Sequence, residues 1–296
     1  MCGIVGLFLK NPALEAHLGQ FTATMLEVMT ERGPDSAGFA IYRGALPQQI
    51  KLTLRSDADF DFAEFAGALS ASLDATVLLV RHDDHAVLSF AAALEARVRN
   101  EIARFPGLHI MSSGSAMELY KGVGLPSAVA DRFALAGMSG THAIGHTRMA
   151  TESAVTIAGA HPFSTGADQC LVHNGSLSNH NAIRRKLQRA GQVFETENDS
   201  EVAAGYLSWQ MSQGARLDEA LTAALSELDG FYTFVVGTKS GFGVLRDPVA
   251  CKPAVMAETD DYVAFGSEYR ALVDLPGIEH AHLFEPEPQR VYFWER

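Results

Sequence analysis

The chain has 296 residues, 47% of them hydrophobic and 20% charged, and a formal net charge of −12. That length is enough for one large domain or two modest ones with a substantial core. The acidic balance, with a pI near 5.3, leaves no basic surplus to meet phosphates, which excludes nucleic acid and anionic membrane surfaces as electrostatic partners.

The chain opens MCGIVGLFLK. This start has no basic region, its apolar run is too short for a secretory leader, and no stretch approaches the roughly 20 apolar residues of a membrane span. The three cysteines, Cys2, Cys170 and Cys251, form no CxxC pair and leave an odd count. A reducing, cytoplasmic setting without a disulfide framework is therefore expected. CGIVGLFLK itself reads as a strand, with Gly3 and Gly6 where backbone must pass closely. Apolar spacing predicts a helix over 13–31, RGPDSAG (32–38) is a turn cluster, and GFAIYR resumes a strand.

From about 44 to 140 the character changes. SDADFDFAEFAGALSASL reads as a helix capped by Ser56 or Asp57. TVLLVRH reads as a strand, AAALEARVRNEIARF as a helix, LHIMSS and SAMELYKG as strands, and LPSAVADRFAL as a helix. This segment is expected to be an α+β insert with a small core of its own. RHDDH (81–85) is read as a solvated polar turn, and no metal site is expected. After the insert come THAIGHTRMAT, a strand running into a loop, and QCLVHNGSL, a strand running into a turn. Three helices then start at NHNAIRRKLQRAG, DSEVAAGYLSWQMSQG and LDEALTAALSELDG. FYTFVVGT, GFGVLRD, PAVMAE, YVAFGSE and RVYFWE follow as closely spaced strands. Strands at both ends with paired helices between them predict a layered α/β/β/α packing, of α+β class.

The second residue carries the chemistry. Removal of Met1 would give Cys2 a thiol and a free α-amine together. The thiolate is the reactive form. An α-amine titrates at about 7.7–8.0, so it can be neutral and accept the thiol proton directly or through one water. Such a nucleophile also needs oxyanion donors and a grip on a charged substrate. Asn174 and Gly175 in HNGSLSNH (173–180) can supply an amide and a backbone N–H, although Asn-Gly is also an ordinary turn. Arg148 in GHTRMAT (145–151) suits bidentate capture of a carboxylate. Asp199 in NDSE (198–201) sits at a helix start, where it is either a cap or a ligand for a cation.

In order, CGIVG, RGPDSAG, GHTRMAT, HPF, HNGSLSNH and NDSE closely resemble the class II glutamine amidotransferases, the glutaminase domains of the N-terminal nucleophile hydrolases. The resemblance covers 2–43 and 141–270, with echoes in LRDPVACKPAV (245–255) and AFGSEYRAL (264–272). It implies a four-layer N-terminal nucleophile sandwich spanning 2–296, with 44–140 as an α+β excursion. It implies Cys2 as nucleophile and, through its amine, base. Asn174 and Gly175 become the oxyanion hole, and Arg32 braces the Cys2 region. Arg148 holds the α-carboxylate of glutamine beside Thr151, and Asp199 receives its α-ammonium. His161 and His173 are expected to be structural. The chain departs from the family pattern at Met149 and Glu152, which bears on how the glutamine pocket closes.

The resemblance further implies hydrolysis of L-glutamine to glutamate and ammonia through a γ-glutamyl thioester. No P-loop pattern and no synthase module follow the glutaminase portion, so the acceptor of ammonia is expected on a separate subunit. The long excursion looks like that of glutamate synthase-type glutaminases, including a subunit of N-methylglutamate synthase. No cofactor is expected on this chain, with FMN and iron–sulfur clusters on the partner subunits. Two other readings stay open: a stand-alone γ-glutamyl amide hydrolase, and a non-enzymatic module that binds glutamine for regulation.

Overall fold

The computed structural model describes residues 2–45, 47–150 and 155–296. The order begins β1 (Gly3–Leu9), α1 (Leu18–Val28), β2 (Ser36–Tyr42), β3 (Gln49–Ser56), α2 (Phe62–Leu73), β4 (Leu78–His82), β5 (His85–Ala91), α3 (Glu95–Ile102) and β6 (Leu108–Gly114). It continues β7 (Met117–Val123), α4 (Pro126–Arg132), β8 (His142–Arg148), β9 (Phe163–Gly166), β10 (Gln169–Leu177), α5 (His180–Arg189), α6 (Asp199–Ser212) and α7 (Leu217–Glu227). The last strands are β11 (Gly230–Gly237), β12 (Gly241–Arg246), β13 (Val255–Glu258), β14 (Tyr262–Gly266), β15 (His282–Phe284) and β16 (Val291–Glu295). No helix among the described residues is long and apolar enough to cross a membrane.

Two sheets face each other. One has seven strands in the order β15-β13-β14-β1-β8-β2-β7, and the other five in the order β16-β12-β11-β10-β9. Each central strand is apolar on both faces, and the period of two divides its residues between two cores. In β1, Ile4 and Phe8 enter the core between the sheets, while Val5, Leu7 and Leu9 enter the core under α1 and α4. In β11, Val235 faces the other sheet, while Tyr232, Phe234 and Val236 lie under the helical layer. Gly6 allows the sheets to close, since a Cβ there would lie 2.7 Å from the Phe242 ring of β12. Helix α6 is buried from Ser200 to Ser208, and packs with α5 and α7 over the five-stranded sheet. The α/β/β/α order expected from the sequence is the order found.

The 44–140 segment divides. Strands β3 to β6 form a third sheet, ordered β4-β5-β3-β6. With α2 and α3 it encloses a separate core that includes Leu52, Leu54, Phe62, Leu69, Leu88 and Val98. The next strand, β7, leaves this unit and pairs with β2 along its whole length, from Met117↔Tyr42 to Val123↔Ser36. Helix α4 then packs on α1. RHDDH is a hairpin turn, with His82 opposite His85 and Asp83 at φ 54°. Its acids are taken up by Arg132, Arg55 and His85.

Candidate active site

Cys2 stands immediately before β1, whose neighbours are β14 and β8. Two donors from distant parts of the chain converge on its carbonyl oxygen. Arg32 Nε donates at 3.0 Å and Asn174 Nδ2 at 3.1 Å. The Cys2 thiol is half-buried and its Sγ lies 3.9 Å from the Met149 carbonyl oxygen. Arg32 comes from the short helical turn Thr30–Arg32 and is buried. Its Nη1 pairs with Glu268 Oε1 at 2.7 Å. That hydrogen bond, together with the charges of Arg270 and Arg32, holds the Glu268 carboxyl below the usual range.

Asn174 and Gly175 do not form a turn. They lie inside β10, opposite Thr233 and Tyr232 of β11. Asn174 Nδ2 also donates to Ser267 Oγ at 3.3 Å, and its Oδ1 faces His146 Nε2 at 3.3 Å. Burial pushes the His146 ring down to about 3, so it is neutral. Because the amide oxygen only accepts, Nε2 carries the ring proton. His161 stacks on this ring with centroids 4.0 Å apart. Gly175 has φ 146°, and a Cβ there would lie 1.9 Å from the Phe231 carbonyl oxygen. The Leu177 N–H is taken by Asp199 Oδ2 at 2.8 Å.

Asp199 is the first residue of α6, but the cap is Asn198, whose Oδ1 accepts from the Ser200 N–H at 2.8 Å. The Asp199 carboxylate therefore does not cap the helix and instead reaches back to β10. His173 is buried beneath it and bonds Ser200 Oγ through Nδ1 at 2.8 Å. Burial pushes this ring below its usual range, and Asp199 partly offsets the shift. Arg148 is the last residue of β8 and is buried. The backbone around it is fixed by Asp35, whose N–H bonds the Arg148 carbonyl at 3.1 Å and whose carboxylate takes the Ala150 N–H at 2.8 Å. Thr151 and Glu152 lie outside the described residues.

Two expected residues, Arg32 and Asn174, thus meet on Cys2 itself. Gly175 lies beside Asn174, and Asp199 and Arg148 sit at the ends of adjoining elements. Sequence reasoning assigned nothing to Ser267, Glu268, His146 or Asp35. All four lie in motifs already singled out, GSE, GHTR and GPDS. Ser267 has a further task, since its Oγ accepts from the Ile4 N–H at 2.9 Å and pins the start of β1.

A two-sheet sandwich between helical layers, with a cysteine at the head of a central strand and an Asn-Gly pair beside it, is the N-terminal nucleophile type of fold. Two solved structures share the fold across 99% of this chain. They are glutamine phosphoribosylpyrophosphate amidotransferase from B. subtilis (TM-score 0.63, 21% identity) and the allosteric regulatory enzyme of purine biosynthesis (TM-score 0.64, 20% identity). The chain spans 47% of the length of each, and at these identities the likeness is one of fold. A glutamine amidotransferase domain model matches residues 146–274. Glutamine amidotransferase-like protein GlxB of Rhizobium meliloti (strain 1021) is 61% identical over 298 residues, covering 100% of this chain and 98% of that protein. The chain belongs to the class II glutamine amidotransferases, and it is an enzyme of that family.

Proposed function

We propose that this chain hydrolyses L-glutamine to glutamate and ammonia, with Cys2 as nucleophile once Met1 is removed. The observation that carries the reading is the convergence of Arg32 Nε and Asn174 Nδ2 on the Cys2 carbonyl. Two hydrogen bonds to one backbone oxygen fix the residue that bears the thiol and place an amide donor beside it.

In this reading the freed α-amine takes the thiol proton, and the sulfur attacks the side-chain amide carbon of glutamine. The oxyanion is received by the Gly175 N–H and by the Asn174 amide, one of whose two N–H groups turns to it from the Cys2 carbonyl or Ser267. The amine returns its proton to the leaving nitrogen, the C–N bond breaks, ammonia departs and a γ-glutamyl thioester remains. Water then adds to the thioester, and the thiol is released with glutamate. Arg148 holds the α-carboxylate and Asp199 the α-ammonium, so binding at the far end of glutamine orients the reacting amide. Thr151 is assigned beside Arg148 on the motif alone.

The ammonia passes, in the same reading, to a synthase on a separate subunit of glutamate synthase-like type, N-methylglutamate synthase included. FMN and iron–sulfur chemistry would belong to that subunit. The length of the 44–140 excursion supports this assignment of the acceptor.

The test is direct. Intact mass should show loss of one methionine, a glutamine-like electrophile should label Cys2, and Cys2→Ala should release no ammonia from glutamine. Ammonia release by a protein that keeps Met1, or by Cys2→Ala, overturns the mechanism. Co-purification with a flavoprotein tests the acceptor separately.

A further inference from the structure

A cleft with a volume of about 730 Å³ opens on the molecule, and neither Cys2, Arg148 nor Asn174 lines it. It opens where β6 of the small sheet, β9, and the 193–196 segment before α6 come together. Lys121 lines it from β7. The residue is 5% exposed. Its register partner on β2 is Gly38, whose partner on β8 is His146, so Lys121 stands in the row that faces the second sheet.

The other cations of the cleft are engaged. Arg55 pairs with Asp57 at 2.8 Å and with Asp84 at 3.4 Å, and Arg99 pairs with Glu95 at 2.7 Å. Glu201, which also lines the cleft, has both oxygens occupied by the Glu195 N–H and by the N–H and hydroxyl of Thr196. Lys121 differs. Among the described residues its ammonium has no ion pair and no hydrogen bond, and its polar neighbour is the face of the Phe163 ring, 4.6 Å from Nζ. Burial lowers it to about 8, and the charges of Glu201 and Glu195 oppose the shift. The stem of Lys121 is buried while its ammonium faces the cleft, with no anion among the described residues bonded to it. An anion arriving in the cleft would pair with it.

We propose that the cleft is a binding site for a small monocarboxylic acid, its carboxylate on Lys121 and its apolar body against Phe163 and Ile157. Glu201 and Glu195 stand near the ammonium and oppose an arriving anion, which limits the ligand to a single negative charge. A phosphate dianion would meet the same two carboxylates with twice the charge. None of the described residues assigned to the glutamine machinery lines the cleft.

The probes are propionate and inorganic phosphate, followed by calorimetric titration and saturation-transfer NMR on the full chain. Propionate is expected to bind, phosphate to bind at least tenfold more weakly, and Lys121→Met to weaken propionate at least tenfold while keeping the wild-type circular dichroism. The wild type tests the same point without a substitution. Its affinity for propionate should fall about tenfold from pH 7 to pH 9 as the Lys121 ammonium empties. Absence of propionate binding, unchanged affinity in Lys121→Met, preference for phosphate, or a flat profile to pH 9 overturns the proposal. Glutamine plays no part in these readouts, so a failure here is separable from a failure of the glutaminase reading.

Discussion

Arg32 owes its place to the geometry of a guanidinium. One edge reaches the Cys2 carbonyl while another pairs with Glu268. A lysine ammonium is a point donor on a flexible stem and cannot span both. Arg32→Lys is therefore expected to lower kcat for glutamine hydrolysis about tenfold with KM within about twofold, because the nucleophile is displaced and the substrate grip is not. Steady-state kinetics check this, and a wild-type kcat would show that the carbonyl clamp does not position the thiol. Gly175 makes a different demand. Its φ of 146° suits glycine, and a Cβ would collide with the Phe231 carbonyl oxygen at 1.9 Å. Gly175→Ala should cost about 2–3 kcal/mol in urea unfolding, because β10 must move off β11. A loss below about 0.5 kcal/mol would mean that the strand adapts freely.

The same contrast between neighbours governs the elements. Strands such as GIVGLFL and FYTFVVG were legible because apolar residues on both faces of a strand require cover on both sides, and the layer order follows from that. The site was legible for a different reason: Cys2, Arg32, Arg148, Asn-Gly and Asp199 occupy short motifs whose order is specific. What was not legible depended on partners. Asn-Gly looked like a turn, yet pairing with Thr233 and Tyr232 holds it extended. Ser56 looked like a helix cap, but it ends β3, and Asp61 caps α2 by accepting from Ala63 and Glu64. Strand β3 has alternating Ile50, Leu52 and Leu54, a signal that the polar residues between them obscured. Nothing in MELYKGV itself says that it pairs with β2 instead of joining the small sheet. The separate core of that sheet has a measurable consequence. Leu88 is fully buried there, opposite Leu52 and Leu79. Leu88→Ala should cost about 2–5 kcal/mol. Hydrogen exchange should place the loss in β3 to β6 and spare β1 and β8. Equal loss of protection across all three sheets would show that the small unit unfolds only with the rest.

At the scale of the whole molecule, the main electrostatic consequence of the sandwich is a set of histidines that burial keeps neutral. His142 is stacked on Tyr42 at 4.0 Å and bonds the Thr238 carbonyl oxygen at 2.8 Å, and burial pushes it down to about 3. His146 is pushed to about 3 by burial as well, and burial also lowers His85, His161 and His173. For each of these rings the unfolded chain binds the proton more readily than the folded one. Stability must then rise with pH, and it must be lost as pH falls below the unfolded value near 6.5, down to the lowered folded values. For rings as strongly shifted as His142 and His146 the loss between pH 7 and pH 5 is about 2 kcal/mol each. The lowered carboxyls of Asp57, Asp84 and Glu268 act in the same direction, but only below about pH 4, where the unfolded chain takes up protons. Acid sensitivity should therefore appear in two stages, the first set by histidines and the second by carboxylates. Urea midpoints at pH 7, 6 and 5 follow the first stage, and one at pH 3 adds the second. A fall of several kcal/mol from pH 7 to pH 5 is expected, and it should shrink by about 2 kcal/mol in His142→Asn if the variant folds, because one of the titrating rings is gone. Stability that stays level from pH 7 to pH 5 and falls only below pH 4 would mean that these rings take up protons in the folded state without cost, and that the space between the sheets is wetter than its packing shows.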